Sequence, residues 1–398
     1  MTVDFDPFSR DFFDDPYDTY ELLREEAPCF HSEKWDFYAF SRFDDVVAVH
    51  RNTKSFTSTH GLTYDQLISP EFAATMNRSI IMMDPPEHTR YRKLVSRSFT
   101  PRAIGAHKPM VSDLIAEYLD PLMDRSEFDI VGEFAGPFPV EVICAILGVP
   151  KPDRQMIRHQ TDAMLTREEG QPLGSAAQAE AAIDQAVYFV DFVADKRLHP
   201  GDDMTTALIE SQVETDDGEF VSLSDHEIAG FCSLLAAAGS ETVTKLLGSA
   251  VVAFDDHPGE WAKLLEDGSK VYGAVEETLR YRAPSQYQGR LSVDETQWHG
   301  VTVRAGKPVF LLTGAANHDP REYKDPSRFD IDRPPRLAIG FGHGIHNCLG
   351  AALARLESAV ALEEIARRWP NFSVDKDGLE RVQMSNVAGY SKVPISVS

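Results

Sequence analysis

Positive charge is scarce in this chain of 398 residues: 39 lysines and arginines stand against 63 aspartates and glutamates, a formal balance of −24. Such a surface repels phosphate backbones, which argues against nucleic-acid binding. Cysteine is sparse too. Cys29, Cys144, Cys232 and Cys348 are far apart and form no CxxC pair, so they read as reduced thiols and not as a disulfide framework. No uninterrupted run of about twenty apolar residues occurs, and the opening Met1-Thr2-Val3-Asp4-Phe5-Asp6 has neither a basic nor an apolar leader. A cytoplasmic protein with no membrane partner is expected. Gly/Ser linkers, low-complexity tracts and repeats are also missing, so one domain over residues 1–398 is the simpler expectation. At 42% apolar residues the chain has ample material for a core.

What is present is concentrated in a few stretches. Gly340-Phe341-Gly342-His343-Gly344-Ile345-His346-Asn347-Cys348-Leu349-Gly350 places one cysteine after a glycine-rich loop and before the helix-forming run Ala351-Ala352-Leu353-Ala354-Arg355-Leu356-Glu357. Glycine lets the backbone pass close to something flat and bulky, and the start of a helix favours a thiolate over a thiol. A buried cysteine in a turn is the bland alternative. A zinc site from His343, His346 and Cys348 is another, but it lacks a second spaced pair of cysteines or histidines.

The loop resembles the haem-binding loop of the cytochrome P450 family, whose Phe-x-x-Gly-x-x-x-Cys-x-Gly pattern is met by Phe341, Gly344, Cys348 and Gly350. The resemblance implies haem b, with Cys348 as the iron ligand and Phe341, Gly342, His346 and Gly350 against the cofactor; a thiolate ligand favours O–O cleavage. It covers the chain from about residue 15 to the end. It also implies a mainly α fold with a small β lobe, from segments at about 30–60 and 285–315, the haem lying between a long central helix and the cysteine loop.

Elsewhere the patterns can be read in order. A helix is expected over Tyr17 to Glu26, strands around Phe37-Tyr38-Ala39-Phe40, and a helix carrying Asp44 to His50. Residues 59 to 80 read as irregular, and in the family that region covers the substrate pocket. After Asp84-Pro85-Pro86 a helix can start near Glu87, which places His88 and Arg92 four apart on one face. By resemblance the two bind a haem propionate, and Arg290 a second one. Between His88 and Lys108 lie Arg90, Arg92, Lys93, Arg97, Arg102 and Lys108 without one acid. Such a run is usually a solvated face; beside the haem motifs it reads as a docking patch for an acidic ferredoxin, itself reduced by an NAD(P)H-dependent reductase.

From 110 to 255 the pattern is helical, with two helices within 153–200 joined by the flexible stretch 168–174, a plausible lid or an inert connector. Ser224 followed by Glu227 is a capping box, and no proline interrupts the pattern before Pro258. A helix of thirty-odd residues would span about 45 Å. Its middle, Ala238-Gly239-Ser240-Glu241-Thr242, breaks local rules by setting a glycine and an acid in apolar surroundings. Small residues there usually mean close helix packing. The segment also matches the family's oxygen-activation pattern, which implies that Ala238 and Gly239 face the haem, that glycine leaves room for dioxygen, and that Glu241 and Thr242 relay protons.

Glu277 and Arg280, with Arg328 downstream, match the family's Glu-Arg-Arg network, a structural device. Pocket residues implied by resemblance are Gly61, Leu62, Leu234, Leu235, the segment from Ser285 to Gln288, Ala388 and Gly389, with Gln286, Tyr287 and Gln288 able to orient a polar end of a substrate. Two departures stand out. Ala338 replaces the histidine general in soluble bacterial members, with Arg336 two residues before it, and Asn347 replaces an apolar neighbour of the ligand. The implied reaction is monooxygenation of a medium-sized apolar molecule such as a terpenoid, steroid or fatty acid by O₂. A peroxide-driven peroxygenase and a haem-thiolate sensor or carrier are the alternatives.

Overall fold

The computed structural model describes residues 3–69, 79–214, 219–334 and 336–398. The helices that position the site are α1 (Tyr17–Glu26), α2 (Phe43–Arg51), α3 (Tyr64–Ile68), α4 (Glu87–Val95), α5 (Lys108–Leu119), α6 (Pro137–Leu147), α7 (Arg154–Leu165), α8 (Ala176–Leu198), α9 (Asp225–Asp256), α10 (Val271–Tyr281) and α11 (Ala351–Arg368). One five-stranded sheet uses β1 (Cys29–Ser32), β2 (Phe37–Phe40), β3 (Phe56–Thr57), β4 (Gln288–Ser292) and β5 (Pro308–Leu311), in the order β1-β2-β5-β4-β3.

The 32 residues of α9 form the axis of the molecule. At its start Ser224 Oγ accepts from the Glu227 amide and the Glu227 carboxylate accepts from the Ser224 amide, so the orphan amides of the first turn are satisfied. The helix ends at His257, before Pro258, which cannot continue the hydrogen-bond ladder. Ile228, Phe231, Leu235, Val243, Leu246 and Leu247 belong to the main core, which they share with Val142, Ile143 and Ile146 of α6 and with Leu353, Val360 and Leu362 of α11. Burying each such side chain is worth about 1.5–3 kcal/mol, so packing more than propensity holds this helix straight through its glycines.

The sheet forms the second layer. Antiparallel β1 and β2 put Phe40 opposite Cys29, β5 runs parallel to β2, and β4 is antiparallel to β5 with Arg290 opposite Val309. Every residue of β2 and β5 is buried, as expected of inner strands rich in aromatic and β-branched side chains. The register therefore fixes Arg290 within a central strand, where its side chain is buried.

Within 59–80 the structure differs from the irregular stretch expected, since residues 63–68 fold as a capped helix. Thr63 and Gln66 form a capping box around α3. Residues 70–78 of that stretch lie outside the described residues. Among the described residues no helix is long and apolar enough to cross a membrane.

Candidate active site

The loop 340–350 is held by its own backbone. Gly342 donates to Ile339, Asn347 to Gly344, and the Cys348 amide to the Phe341 carbonyl at 2.8 Å. Gly344 has φ +69°, and a Cβ there would meet the His50 carbonyl oxygen at 2.7 Å, so only glycine lets the loop pass this close to α2. Gly350 caps α11 without a side-chain hydrogen bond. Arg355, one turn into α11, lays its guanidinium 4.5 Å from the Phe341 ring centroid and pairs with Glu276.

Cys348 is exposed, yet desolvation by the surrounding protein dominates its thiol and pushes it upward, against a Gly350 amide, Arg92 and Arg355 that lower it. The helix start alone therefore does not outweigh burial at this thiol, and a cation bound to the sulfur would favour its ionised form. Among the described residues no group of three or more His, Cys, Asp or Glu side chains could hold a metal ion, which removes the zinc alternative.

The residues expected at the propionates come together. His88 and His346 meet edge to face with ring centroids 4.6 Å apart, and each has a buried Nε2 without a hydrogen-bond partner among the described residues. Burial and the charges of Arg290 and Arg92 drive His346 down to about 2, so it is neutral. Arg290 is pushed down to about 10 by burial, against the charge of Asp84; its side chain donates to the Gly289 carbonyl at 2.6 Å. Arg92 donates to the Asn347 carbonyl at 2.9 Å, which ties α4 to the cysteine loop. His50, which the sequence reading placed on a helix and gave no role, has both ring nitrogens buried without hydrogen-bond partners among the described residues and feels Arg290, His343 and His346. Arg336 points away, to Glu322 at 3.4 Å, so it does not join this cluster in place of a histidine at 338. Asn347 turns its side-chain amide to the Gly342 carbonyl at 3.3 Å.

On α9, Ala238 is exposed while its neighbours pack. A Cβ at Gly239 would meet Ile143 of α6 at 3.2 Å, so close helix packing accounts for this glycine, and its missing side chain opens toward α6. Thr242 donates its hydroxyl to the Ala238 carbonyl at 2.8 Å. Glu241 is buried and paired with Lys245 at 2.9 Å, with Asp162 of α7 within hydrogen-bond reach. Lys245 and Asp162 were missed because an i, i+4 pair reads as a surface feature and Asp162 is remote in sequence.

The expected roles of Arg328, Gln286, Tyr287 and Gln288 are corrected. Arg328 offers Arg280 only its backbone carbonyl, at 3.1 Å, while its own side chain is exposed; Arg333 is the second arginine on Glu277. The chain turns Phe329 into the core there, which sends Arg328 outward. Gln286 is spent on Tyr20 and the Ala283 carbonyl, and the Tyr287 hydroxyl on the Ser385 carbonyl, with its ring stacked 4.4 Å from Phe310. Both are buried in the β lobe and neither can orient a substrate; Gln288 likewise bonds Ser285 and Thr313. Of the other pocket candidates, Leu235 is buried in the core, Leu62 and Leu234 are half-buried, and Gly61 packs on Gln66. Ala388 is half-buried, and Gly389, with φ +150°, lies against the Lys245 stem, so this segment does reach the middle of α9.

A sequence model of the Cytochrome P450 family matches residues 173–392. The chain belongs to the cytochrome P450 family. It is 40% identical over 393 residues to "Putative cytochrome P450 123" of Mycobacterium tuberculosis, covering 98% of this chain and 96% of that one. The solved structure of Bacillus subtilis PksS, the cytochrome P450 of the bacillaene polyketide synthase, superposes with a TM-score of 0.90 at 29% identity, over 99% and 100% of the two chains. CYP109E1 from Bacillus megaterium, solved in complex with testosterone, gives 0.85 at 29% identity, over 96% and 98%.

As a cytochrome P450 the chain is a haem b monooxygenase. Its residues fit that cofactor: an exposed cysteine for the iron, and beside it a buried cation and two imidazole nitrogens without a hydrogen-bond partner among the described residues, able to take up two carboxylates.

Proposed function

We propose that this monooxygenase oxidises a medium-sized apolar molecule of the terpenoid, steroid or fatty-acid kind, using electrons from an acidic ferredoxin and its NAD(P)H-dependent reductase. The observation that carries the reading is the convergence of His88, Arg92, Arg290 and His346 beside Cys348. Haem b, when bound through the Cys348 sulfur, supplies the redox chemistry that splits O₂ and places one oxygen atom in an unactivated C–H or C=C bond. Phe341, Gly342 and Gly350 line its sulfur side in this reading, and Ala238 the opposite side, while Gly239 faces Ile143 of α6.

The chain's own residues bind and supply protons. His88, Arg92, Arg290 and His346 hold the propionates, whose charge offsets the buried cation of Arg290. Thr242 has already committed its hydroxyl proton to the Ala238 carbonyl, so its oxygen would be left to accept a hydrogen bond from a donor in the pocket. Glu241, its neighbour in the sequence, is the proton source behind it. General-acid chemistry of this kind needs geometry first and a suitable proton affinity second.

Electron supply is supported by what remains of the basic island. Arg90 is taken by Glu227 at 2.6 Å and Arg92 by the cysteine loop. Lys93, Arg97, Arg102 and Lys108 are exposed, and they sit on and after the helix that touches that loop. The steroid reading gains support from testosterone in CYP109E1. Terpenoids, steroids and fatty acids should be screened for the spin-state change that follows loss of iron-bound water. A response from at least one class is expected, and silence from all three would defeat the substrate assignment.

A further inference from the structure

We propose that substrate enters between the stretch 166–174 and helix α3, and that the ion pair of Arg167 with Asp65 is the latch that keeps this entrance shut while α7 and α8 stay fixed on α9. The inference rests on the reading that substrate lies over the Ala238 side of the haem. Arg167 stands just past the end of α7 and divides its guanidinium between two tasks. Its Nη1 donates to the Met164 and Thr166 carbonyls, each at 3.0 Å, which aligns the fork with the end of its own helix. Its Nη2 reaches across to the Asp65 carboxylate of α3 at 3.0 Å, and the two side chains keep only 12% and 11% of their surface exposed. An enclosed charge of this kind is stranded when its partner is removed. The other fastenings are backbone hydrogen bonds: the Arg167 amide to the Gln383 carbonyl at 2.8 Å, the Gly170 amide to the Phe8 carbonyl at 2.9 Å, and the Ser385 amide to the Leu165 carbonyl at 3.1 Å.

These contacts close a crevice walled by Phe8, Phe13, Tyr64, Tyr287 and Met384, with room for about one water. Its wall leads inward. Met384 packs with Val382, Val387 and Leu165 in an apolar cluster of their own, and two residues beyond Val387 the backbone at Gly389 lies against the Lys245 stem at the middle of α9. An apolar molecule that passed the crevice would meet this cluster and then the middle of α9. The outer wall is also weakly held. In 166–174 every residue but Arg167 and Pro172 is exposed, Leu173 at 54%, and a segment with so few buried contacts opens at low cost once its fastenings are released. The helices on either side are held differently. Gln185 of α8, fully buried, donates to Thr161 Oγ1 of α7 at 3.0 Å and accepts from Ser233 Oγ of α9 at 2.7 Å, so a buried chain of hydrogen bonds bolts three helices together. Sliding α7 and α8 over α9 would strand these polar groups, whereas parting Arg167 from Asp65 turns both charges toward water. Opening is therefore local to 166–174, and what Asp65 contributes is the stability of the closed form.

Two measurements on the ferric holoprotein test this. The first is stopped-flow mixing with phenylimidazole, whose ring nitrogen ligates haem iron whatever the natural substrate is. Asp65→Asn should raise its association and dissociation rates alike, by about tenfold, and leave Kd within about twofold, because the latch is broken equally in the free and the occupied closed form. Cyanide, small enough to pass without opening, should bind at the wild-type rate, and Asp65→Glu should restore most of the closure. Asp65 also accepts from Thr63 within the first turn of α3, so Arg167→Gln breaks the pair from the other side and should give the same acceleration. Wild-type phenylimidazole rates in both variants overturn the latch, and so does an equal acceleration of cyanide, which means a loosened fold. The second is amide hydrogen exchange read by mass spectrometry. Exchange over 166–174 should rise at least about fivefold in Asp65→Asn while α8 around Gln185 keeps its protection; α8 exchanging together with the loop overturns local opening. Unaltered phenylimidazole rates beside a normal spin-state response to substrate sink this inference alone. Accelerated rates beside silence from all three substrate classes sink only the substrate assignment.

Discussion

Arg333 lies across the carboxylate of Glu277, its Nε 3.2 and 3.1 Å from the two oxygens. Arg280 grips the same carboxylate through Nε and Nη2, each at 2.8 Å, and all three side chains are largely buried. Taking one partner from a buried pair of this kind costs about 3–5 kcal/mol because the other charge is stranded. Arg280→Ala should therefore cost that much in denaturant unfolding, and Arg333→Ala roughly 1–3 kcal/mol for its lost charged hydrogen bonds. Arg328→Ala should stay within about 0.5 kcal/mol, since the carbonyl it lends survives the substitution. Equal losses from Arg328→Ala and Arg333→Ala would restore Arg328 to the network.

The ligand assignment makes a spectroscopic prediction. Cys348→Ser and Cys348→His should abolish the thiolate-type Soret band of the reduced carbon monoxide complex, and a surviving band would mean another ligand. In the haem-free protein burial keeps Cys348 a thiol, so loading with haem should release a proton, measurable in weakly buffered solution with an indicator.

Local patterns carried the reading where chemistry is short-range. The capping box at Ser224, the start of α4 after Pro86 and the strand at Phe37 could all be read because a few neighbouring residues decide them. Long-range partners were out of reach. Nothing near Glu277 distinguishes Arg328 from Arg333, because the choice depends on which way the chain turns once Phe329 enters the core. Gln286 and Tyr287 look like pocket residues until Tyr20 and Ser385, distant in sequence, are seen to satisfy them. The Asp162 and Glu241 contact is of the same kind, made by two helices packing side by side.

Docking predicts a salt-sensitive rate. Lys93 and Arg97 are exposed, and among the described residues neither has an ion-pair partner. Lys93→Glu with Arg97→Glu should slow reduction by an acidic ferredoxin about tenfold at low ionic strength, and much less in high salt, where charges more than about 10 Å apart are screened. Unchanged rates at low ionic strength would take this face out of the interface.

The contact between Asp162 and Glu241 predicts a pH dependence of stability. Asp162 binds its proton more tightly folded, at about 7, than at its ordinary value of 3.8. A raised value means that its contribution is full below the ordinary value and fades as pH rises through the folded one. Wild-type stability should thus lose a component between about pH 4 and pH 7 that Asp162→Asn lacks. Parallel curves of unfolding midpoint against pH would contradict this; with Asp162 partly exposed, the component is modest.

The test that separates a monooxygenase running on O₂ from peroxide-driven chemistry turns on Thr242. Its hydroxyl proton is engaged by the Ala238 carbonyl, so what it offers the pocket is an acceptor, and Thr242→Ala removes that acceptor without disturbing the helix. Substrate binding and electron consumption should stay largely intact, while output shifts from product to hydrogen peroxide because protonated oxygen is no longer held in place. Glu241→Gln should instead slow the whole cycle, since the proton source itself is gone. A peroxygenase would show a high peroxide-driven rate and negligible ferredoxin-driven turnover in the unmodified protein. A sensor or carrier would oxidise nothing in either regime. The deciding quantity is product formed per reduced nicotinamide consumed, with a reconstituted redox chain, before and after Thr242→Ala. Equal coupling in the two proteins would remove Thr242 from proton supply.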